Sequence, residues 1–242
     1  MKKTVQTDLA DTAPGEVATA LLDSHGPLIS VQAAGRQWQL ERAANLEELW
    51  QAMTEDQQSF EDERLPYWTE LWPSSLVLAG WLAGQKKVLA DRPCLDMGCG
   101  LGLTAMVGQW LGARVSAMDY EPEALRYAAL NAQRNHVPQP SWLLMDWRRP
   151  ALQAGSMAYI WGGDIMYEKR FVSPVLRFLG HALAPGGVAW VAEPGRSVYE
   201  AFLHALYGSG WQGRRVHSGQ VRVVYDSPVP VTVHIWELTR RA

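Results

Sequence analysis

The stretch Cys94-Leu-Asp-Met-Gly-Cys-Gly-Leu-Gly-Leu103 decides how this chain is read. An apolar run feeds a turn with glycine at Gly98, Gly100 and Gly102, and the turn opens into a helix-like stretch at 103–111. Glycine reaches backbone angles closed to other residues and carries no Cβ, so a nucleotide cofactor can lie against main-chain amides beside a helix N-terminus. The spacing discriminates between cofactors. A dinucleotide fingerprint, G-x-G-x-x-G, needs its last glycine where Leu103 stands, and here an acid, Asp96, precedes the first glycine by two residues. Hydride chemistry is therefore disfavoured.

Outward from this loop, strand and helix patterns alternate. Residues 93–97, 114–118, 142–145, 158–161, 188–192, 212–216 and 231–238 read as strands, and 75–82, 103–111, 122–135, 172–183 and 198–207 as helices. Such alternation predicts an α/β fold with a doubly wound, mostly parallel, Rossmann-like seven-stranded sheet and helices on both faces. The last two strands follow one another without room for a clear helix. Asp96, Asp119 and Asp146 fall at successive strand ends, the edge where parallel sheets bind ligands.

Before this pattern the chain differs in character. Residues 1–16 are polar and lack periodicity, and are expected to form a loose tail. Residues 28–33 and 37–42 read as a hairpin around Ala34-Gly35-Arg36, and Asn45-Leu-Glu-Glu48 as the start of a short helix with Leu46, Leu49, Trp50 and Met53 on one face. Residues 1–64 are thus expected to form a flexible tail and N-terminal cover, with 65–242 as the main domain. Five acids between 55 and 63, without a lysine or arginine among them, suggest a solvated face, or alternatively a cation-attracting rim.

Composition narrows the functional classes. A length of 242 residues with 48% hydrophobic content suffices for one α/β domain plus an extension. A net charge of -3, with basic doublets scattered along the chain, argues against a nucleic-acid partner. The start, Met1-Lys2-Lys3, is not followed by an apolar signal core, and no run approaches a membrane span. Only Cys94 and Cys99 are present, both beside the glycine turn, where they read as small buried residues. No metal-binding constellation is found among the six histidines. A cytoplasmic monomer is expected.

Asp96-x-Gly98-x-Gly100-x-Gly102 resembles motif I of the class I S-adenosylmethionine-dependent methyltransferases. The resemblance implies that Asp119 meets the cofactor's ribose hydroxyls, while Asp146 and Trp147 form the adenine pocket, with Tyr120 as a further candidate. The fourth strand runs into Gly162-Gly163-Asp164-Ile165-Met166-Tyr167, similar to the D-x-x-Y/F signature of the methyltransferase-family-16 protein-lysine methyltransferases. Leu65-Pro-Tyr-Trp-Thr-Glu-Leu-Trp-Pro-Ser-Ser75 is similar to that family's tryptophan-containing segment, which implies that Trp72 lies against the cofactor. The likeness covers roughly residues 65–193. It implies Asp164 and Tyr167 as the catalytic pair, with Asp164 also bordering the cofactor. Trp68 and Glu193 are substrate-side candidates, each with a plain structural alternative in core packing or at a strand end.

The chemistry limits what Asp164 can do. With a pKa of about 10.4, a lysine amine is neutral in roughly one molecule in 2,500 at pH 7, which costs about 4.6 kcal/mol before attack. A carboxylate stabilises the ammonium, so its work would be to capture and orient the amine rather than deprotonate it. The expected activity is N-methylation of a protein lysine. A small-molecule amine or nicotinamide-like acceptor is the alternative, and a non-catalytic cofactor-binding module is a third class.

Overall fold

The computed structural model describes residues 26–45, 51, 66–221 and 230–241. The expected tail at 1–16, the short helix bearing Leu46, Leu49, Trp50 and Met53, and the acidic run at 55–63 lie outside the described residues. The first described elements are strands β1 (Leu28–Ala33) and β2 (Arg36–Glu41), an antiparallel pair. Their link, Ala34-Gly35, has φ of 55° and 72°, the positive values that a two-residue hairpin turn of the primed type requires.

Helix α1 (Pro73–Gly84) begins with proline at its first turn, where the missing N–H costs no helical bond. The short α2 (Lys86–Leu89) follows, then β3 (Pro93–Met97), α3 (Leu103–Trp110), β4 (Arg114–Asp119), α4 (Pro122–Arg134) and β5 (Ser141–Leu144). Strand β6 (Met157–Gly163), α5 (Val172–Ala182), β7 (Leu183–Glu193), α6 (Val198–Gly208), β8 (Trp211–Val221) and β9 (Val231–Arg240) follow. The main sheet has seven strands in the order β5-β4-β3-β6-β7-β9-β8. Its pairings are parallel from β5 through β7, while β9 is antiparallel to both of its neighbours. Sequence order reverses at β3, and the carboxyl ends of β3, β4 and β6 therefore flank the crevice where such sheets take their ligands.

Two apolar cores sandwich the sheet. One joins α1, α3 and α4 to the hairpin through Ile29, Val31, Trp38 and Leu40, and the other packs α5 and α6 through Val175, Phe178 and Phe202. The hairpin is also held by two buried asparagines, Asn131 in α4 and Asn135 just past its end. Asn135 Nδ2 donates to Gln39 O and its Oδ1 accepts from Gln39 N, at 2.7 and 2.9 Å. Asn131 treats Glu41 in the same way and also donates to Leu101 O of the glycine loop at 3.0 Å. A single helix face thus ties the hairpin to the loop, with every amide group partnered, as burial demands.

Most boundaries fall where hydrophobic period places them, with two informative differences. Strand β8 runs to Val221 rather than 216, because ladder pairing with β9 continues through a bulge at Arg215/His217 into the polar residues Ser218 to Gln220. Strand β7 begins at Leu183 because that residue pairs with Met157 before a register shift. Neither extension has a periodic apolar signal.

Candidate active site

Beyond β3 the chain turns back under β4. The amides of Gly98 and Cys99 both donate to Met118 O at 2.9 Å, which fixes the turn against the neighbouring strand. Two glycines are sterically required there. Gly102 has φ +84°, and a Cβ on it would lie 2.8 Å from Ala128 Cβ, so glycine is what allows α3 to start against α4. Gly98, at φ +69°, would place a Cβ 3.1 Å from Ile165 Cγ2.

Asp119 closes the loop from the end of β4. Its Oδ2 accepts from Gly100 N at 2.9 Å and its Oδ1 from Glu121 N at 3.1 Å. Burial raises its pKa, against the opposing pull of the Glu121, Gly100 and Tyr120 amides. A carboxylate has about four lone-pair sites, so two donors leave acceptor capacity for vicinal hydroxyls. These residues border a cavity of about 660 Å³. That volume lies within the range of small-molecule and cofactor sites.

At one end the cavity is lined by Asp119, Tyr120, Asp146 and Trp147. Asp146 accepts from Arg148 Nε at 3.0 and 2.8 Å, and from the Arg148 amide at 2.8 Å. The same guanidinium sits 5.6 Å from the centre of the Tyr120 ring. Trp147 meets Phe171 edge-on, with centroids 5.5 Å apart.

At the other end, β6 stops at Gly163 and Asp164 turns inward with φ +55°, a backbone angle that a non-glycine residue holds only when its surroundings impose it. Its amide donates to Ala192 O at 2.8 Å. Its carboxylate, 5% exposed, receives a two-point fork from Arg196, Nε to Oδ1 and Nη2 to Oδ2, both at 2.8 Å. The Arg196 guanidinium also lies 5.7 Å from the centre of the Trp72 ring. Tyr167 packs edge-on against Tyr67 and Phe171 at 5.1 and 5.0 Å. Burial, followed by the Glu168 and Asp119 charges, pushes the Tyr167 phenol well above its ordinary range. It is a neutral hydroxyl at pH 7 and not a base.

Between the two ends, Trp68 lines the cavity with its Nε1 buried and unpartnered, while its backbone comes within 3.6 Å of the Cβ position of Gly100. An unpartnered buried donor, a glycine cradle and two carboxylates with spare acceptor capacity fit a cofactor that has hydroxyls and an amine to bond.

Residues 94–187 match the methyltransferase-domain family model. Over those residues the likeness is to a methyltransferase domain. A Mus musculus protein-lysine methyltransferase, METTL21E, is 32% identical over 48% of this chain and 51% of its own length. The Danio rerio electron transfer flavoprotein beta subunit lysine methyltransferase is 28% identical over 56% of this chain and 52% of its own length. The chain thus spans about half the length of these relatives. Among solved structures, the Thermus thermophilus 16S rRNA N2 G1207 methyltransferase in complex with AdoMet and guanosine gives a TM-score of 0.57 at 15% identity, over 89% of this chain and 50% of that one. That likeness shows the fold.

The expected residues divide into two groups. Trp68, Trp72, Gly98, Gly100, Asp119, Tyr120, Asp146, Trp147, Asp164 and Tyr167 all line the cavity. Asp96, Gly102 and Glu193 do not. Asp96 is buried behind the loop, with Oδ2 accepting from Thr104 Oγ1 at 2.6 Å and Oδ1 unpartnered. Burial raises its carboxyl to about 7. Gly102 acts through packing. Glu193 accepts from Gly195 N at 2.5 Å and from Trp236 Nε1 at 3.3 Å, so its carboxylate braces the turn after β7 and lies outside the cavity lining.

Arg196 was not foreseen, although it follows Pro194-Gly195 directly after a strand end. Nor was Glu70, a cavity residue whose Oε2 accepts from the buried Arg42 at 2.7 Å. Among the described residues no helix is long and apolar enough to cross a membrane, and no cluster of three His, Cys, Asp or Glu could hold a metal ion.

Proposed function

We propose that this protein uses S-adenosylmethionine to methylate the side-chain amine of a lysine in another protein. The observation that carries this reading is Asp164, a strained, buried carboxylate at the end of β6, inside a cavity walled by Tyr67, Trp72, Tyr167 and Phe171. Two relatives whose own names describe lysine methylation support a protein acceptor.

The cofactor would supply an electrophilic methyl on sulfur. The loop at 98–102 would receive it, Asp119 would accept from the ribose hydroxyls, and Asp146, Tyr120 and Trp147 would border the adenine. Both Asp146 oxygens already bond Arg148, and their remaining lone pairs are what an exocyclic amine could use. Trp72 and Trp68 would face the methionyl part, where an aromatic face favours positive charge by about 0.5 to 2 kcal/mol. Asp164 would hold the acceptor nitrogen in line while Tyr167 walls the channel and excludes water.

Residues 65–242 form the methyltransferase unit in this reading, and 1–64 its cover. Both cysteines are unpaired thiols, which suits a reducing cytoplasm.

The test is transfer of labelled methyl from S-adenosylmethionine into a size-fractionated lysate by wild type and Asp164→Ala. Label in a discrete protein band, lost in the variant, is expected. Label confined to small molecules would move the acceptor to a free amine or a nicotinamide-like base.

A further inference from the structure

Building on the methyl-transfer reading, we infer that Arg196 is a positioning residue that cancels the charge of Asp164, so that the acceptor end of the cavity takes an amine in its neutral form. The difficulty it resolves is electrostatic. A lone buried carboxylate would bind an alkylammonium and raise its pKa, which holds back the lone pair needed for attack. In this protein both Asp164 oxygens are already engaged by a planar fork at 2.8 Å, and the pair carries no net charge. The guanidinium is anchored twice, since it also lies 5.7 Å from the centre of the Trp72 ring. The contact with Asp164 in turn makes the guanidinium still harder to deprotonate. Its positive charge is therefore permanent, and it repels an ammonium while leaving Asp164 lone pairs free to orient a neutral amine.

The groups that face this pair come from several elements. Tyr67 approaches from the turn before α1, Glu193 from the end of β7, and Tyr167 from the segment of Asp164 itself. Glu168, Asp119 and Arg170 act on Tyr167 from the cavity wall. Of these side chains, only Arg196 engages the Asp164 carboxylate among the described hydrogen bonds and ion pairs.

The probe is n-butylamine, a lysine side-chain mimic, titrated into the folded protein with and without S-adenosylhomocysteine. In wild type, affinity should rise about tenfold per pH unit between pH 7 and 9, because only the neutral fraction binds. Affinity that stays flat or falls over that range would overturn the inference. In Arg196→Gln the freed carboxylate should bind butylammonium at pH 7 at least about tenfold more tightly than wild type does. In Arg196→Lys, which keeps the charge, binding should remain close to wild type. Equal affinity in wild type and Arg196→Gln would also count against it. If Arg196→Gln fails to fold, the wild-type pH series still decides. Failure of S-adenosylhomocysteine to bind would sink the cofactor reading separately, since the amine titration is also run without it.

Discussion

At the end of the cavity proposed for the cofactor, the carboxylates bond backbone amides and a guanidinium two residues away. Asp119 is held by the amides of Gly100 and Glu121, and Asp146 by its near neighbour Arg148. At the acceptor end polar contacts run between distant side chains, with Asp164 forked by Arg196 and ringed by Tyr67, Trp72 and Tyr167. The difference has a physical basis. A cofactor common to many proteins can be gripped by one loop and two strand ends of fixed geometry, whereas an acceptor must be met by groups that the whole fold brings together.

The largest expected effect probes the cofactor end. Gly102→Val forces a side chain onto Ala128 at a backbone angle that valine resists, and should cost about 2 kcal/mol or more of stability together with measurable S-adenosylhomocysteine binding. Denaturant unfolding and calorimetry would check it. Wild-type binding in that variant would mean that the loop is not the cradle.

Next comes the split between the two ends. Asp164→Ala should lower kcat by about 100-fold or more and leave cofactor affinity within a few-fold, whereas Asp119→Ala should weaken cofactor affinity by roughly 10- to 100-fold through lost charge-assisted hydrogen bonds. Equal loss of binding in both variants would erase the division between the ends.

Asp96 gives a pH signature at the cofactor end. Its folded-state pKa, about 7, lies above the unfolded value of 3.8, so the folded state keeps the proton that the unfolded chain has lost. The Asp96 contribution is therefore intact below pH 4 and declines as pH rises towards 7, by at most about 1.4 kcal/mol per unit. Asp96→Asn should remove that slope, so the difference between the two stability profiles would widen with pH in this window and level off above it. A constant difference would mean that Asp96 ionises freely. The smallest effect is expected at Glu193→Gln, where activity should change by less than about threefold and stability by about 1 kcal/mol, the value of one hydrogen bond. A hundredfold loss of activity would return Glu193 to the substrate side.

The fold was legible because its signals are local. Strand–helix alternation, a glycine turn behind an apolar run and Pro73 at a helix start each follow from steric rules that act within a few residues. The same locality made Asp119 and Asp146 visible as strand-end acids. Strand β8's polar extension was not legible, because its hydrogen bonds depend on β9 rather than on its own side chains.

By itself, then, the sequence determined the sheet, its order of elements, the glycine loop and the strand-end acids Asp119 and Asp146 that line the cavity, since all are products of short-range sterics and hydrophobic period. Only the tertiary structure decided that Asp96, Gly102 and Glu193 support the site from outside the cavity, and that Arg196 covers Asp164 across a separation of 32 residues. Whether a carboxylate stands free or paired depends on which cation the completed fold sets beside it, and no spacing rule along the chain encodes that distance.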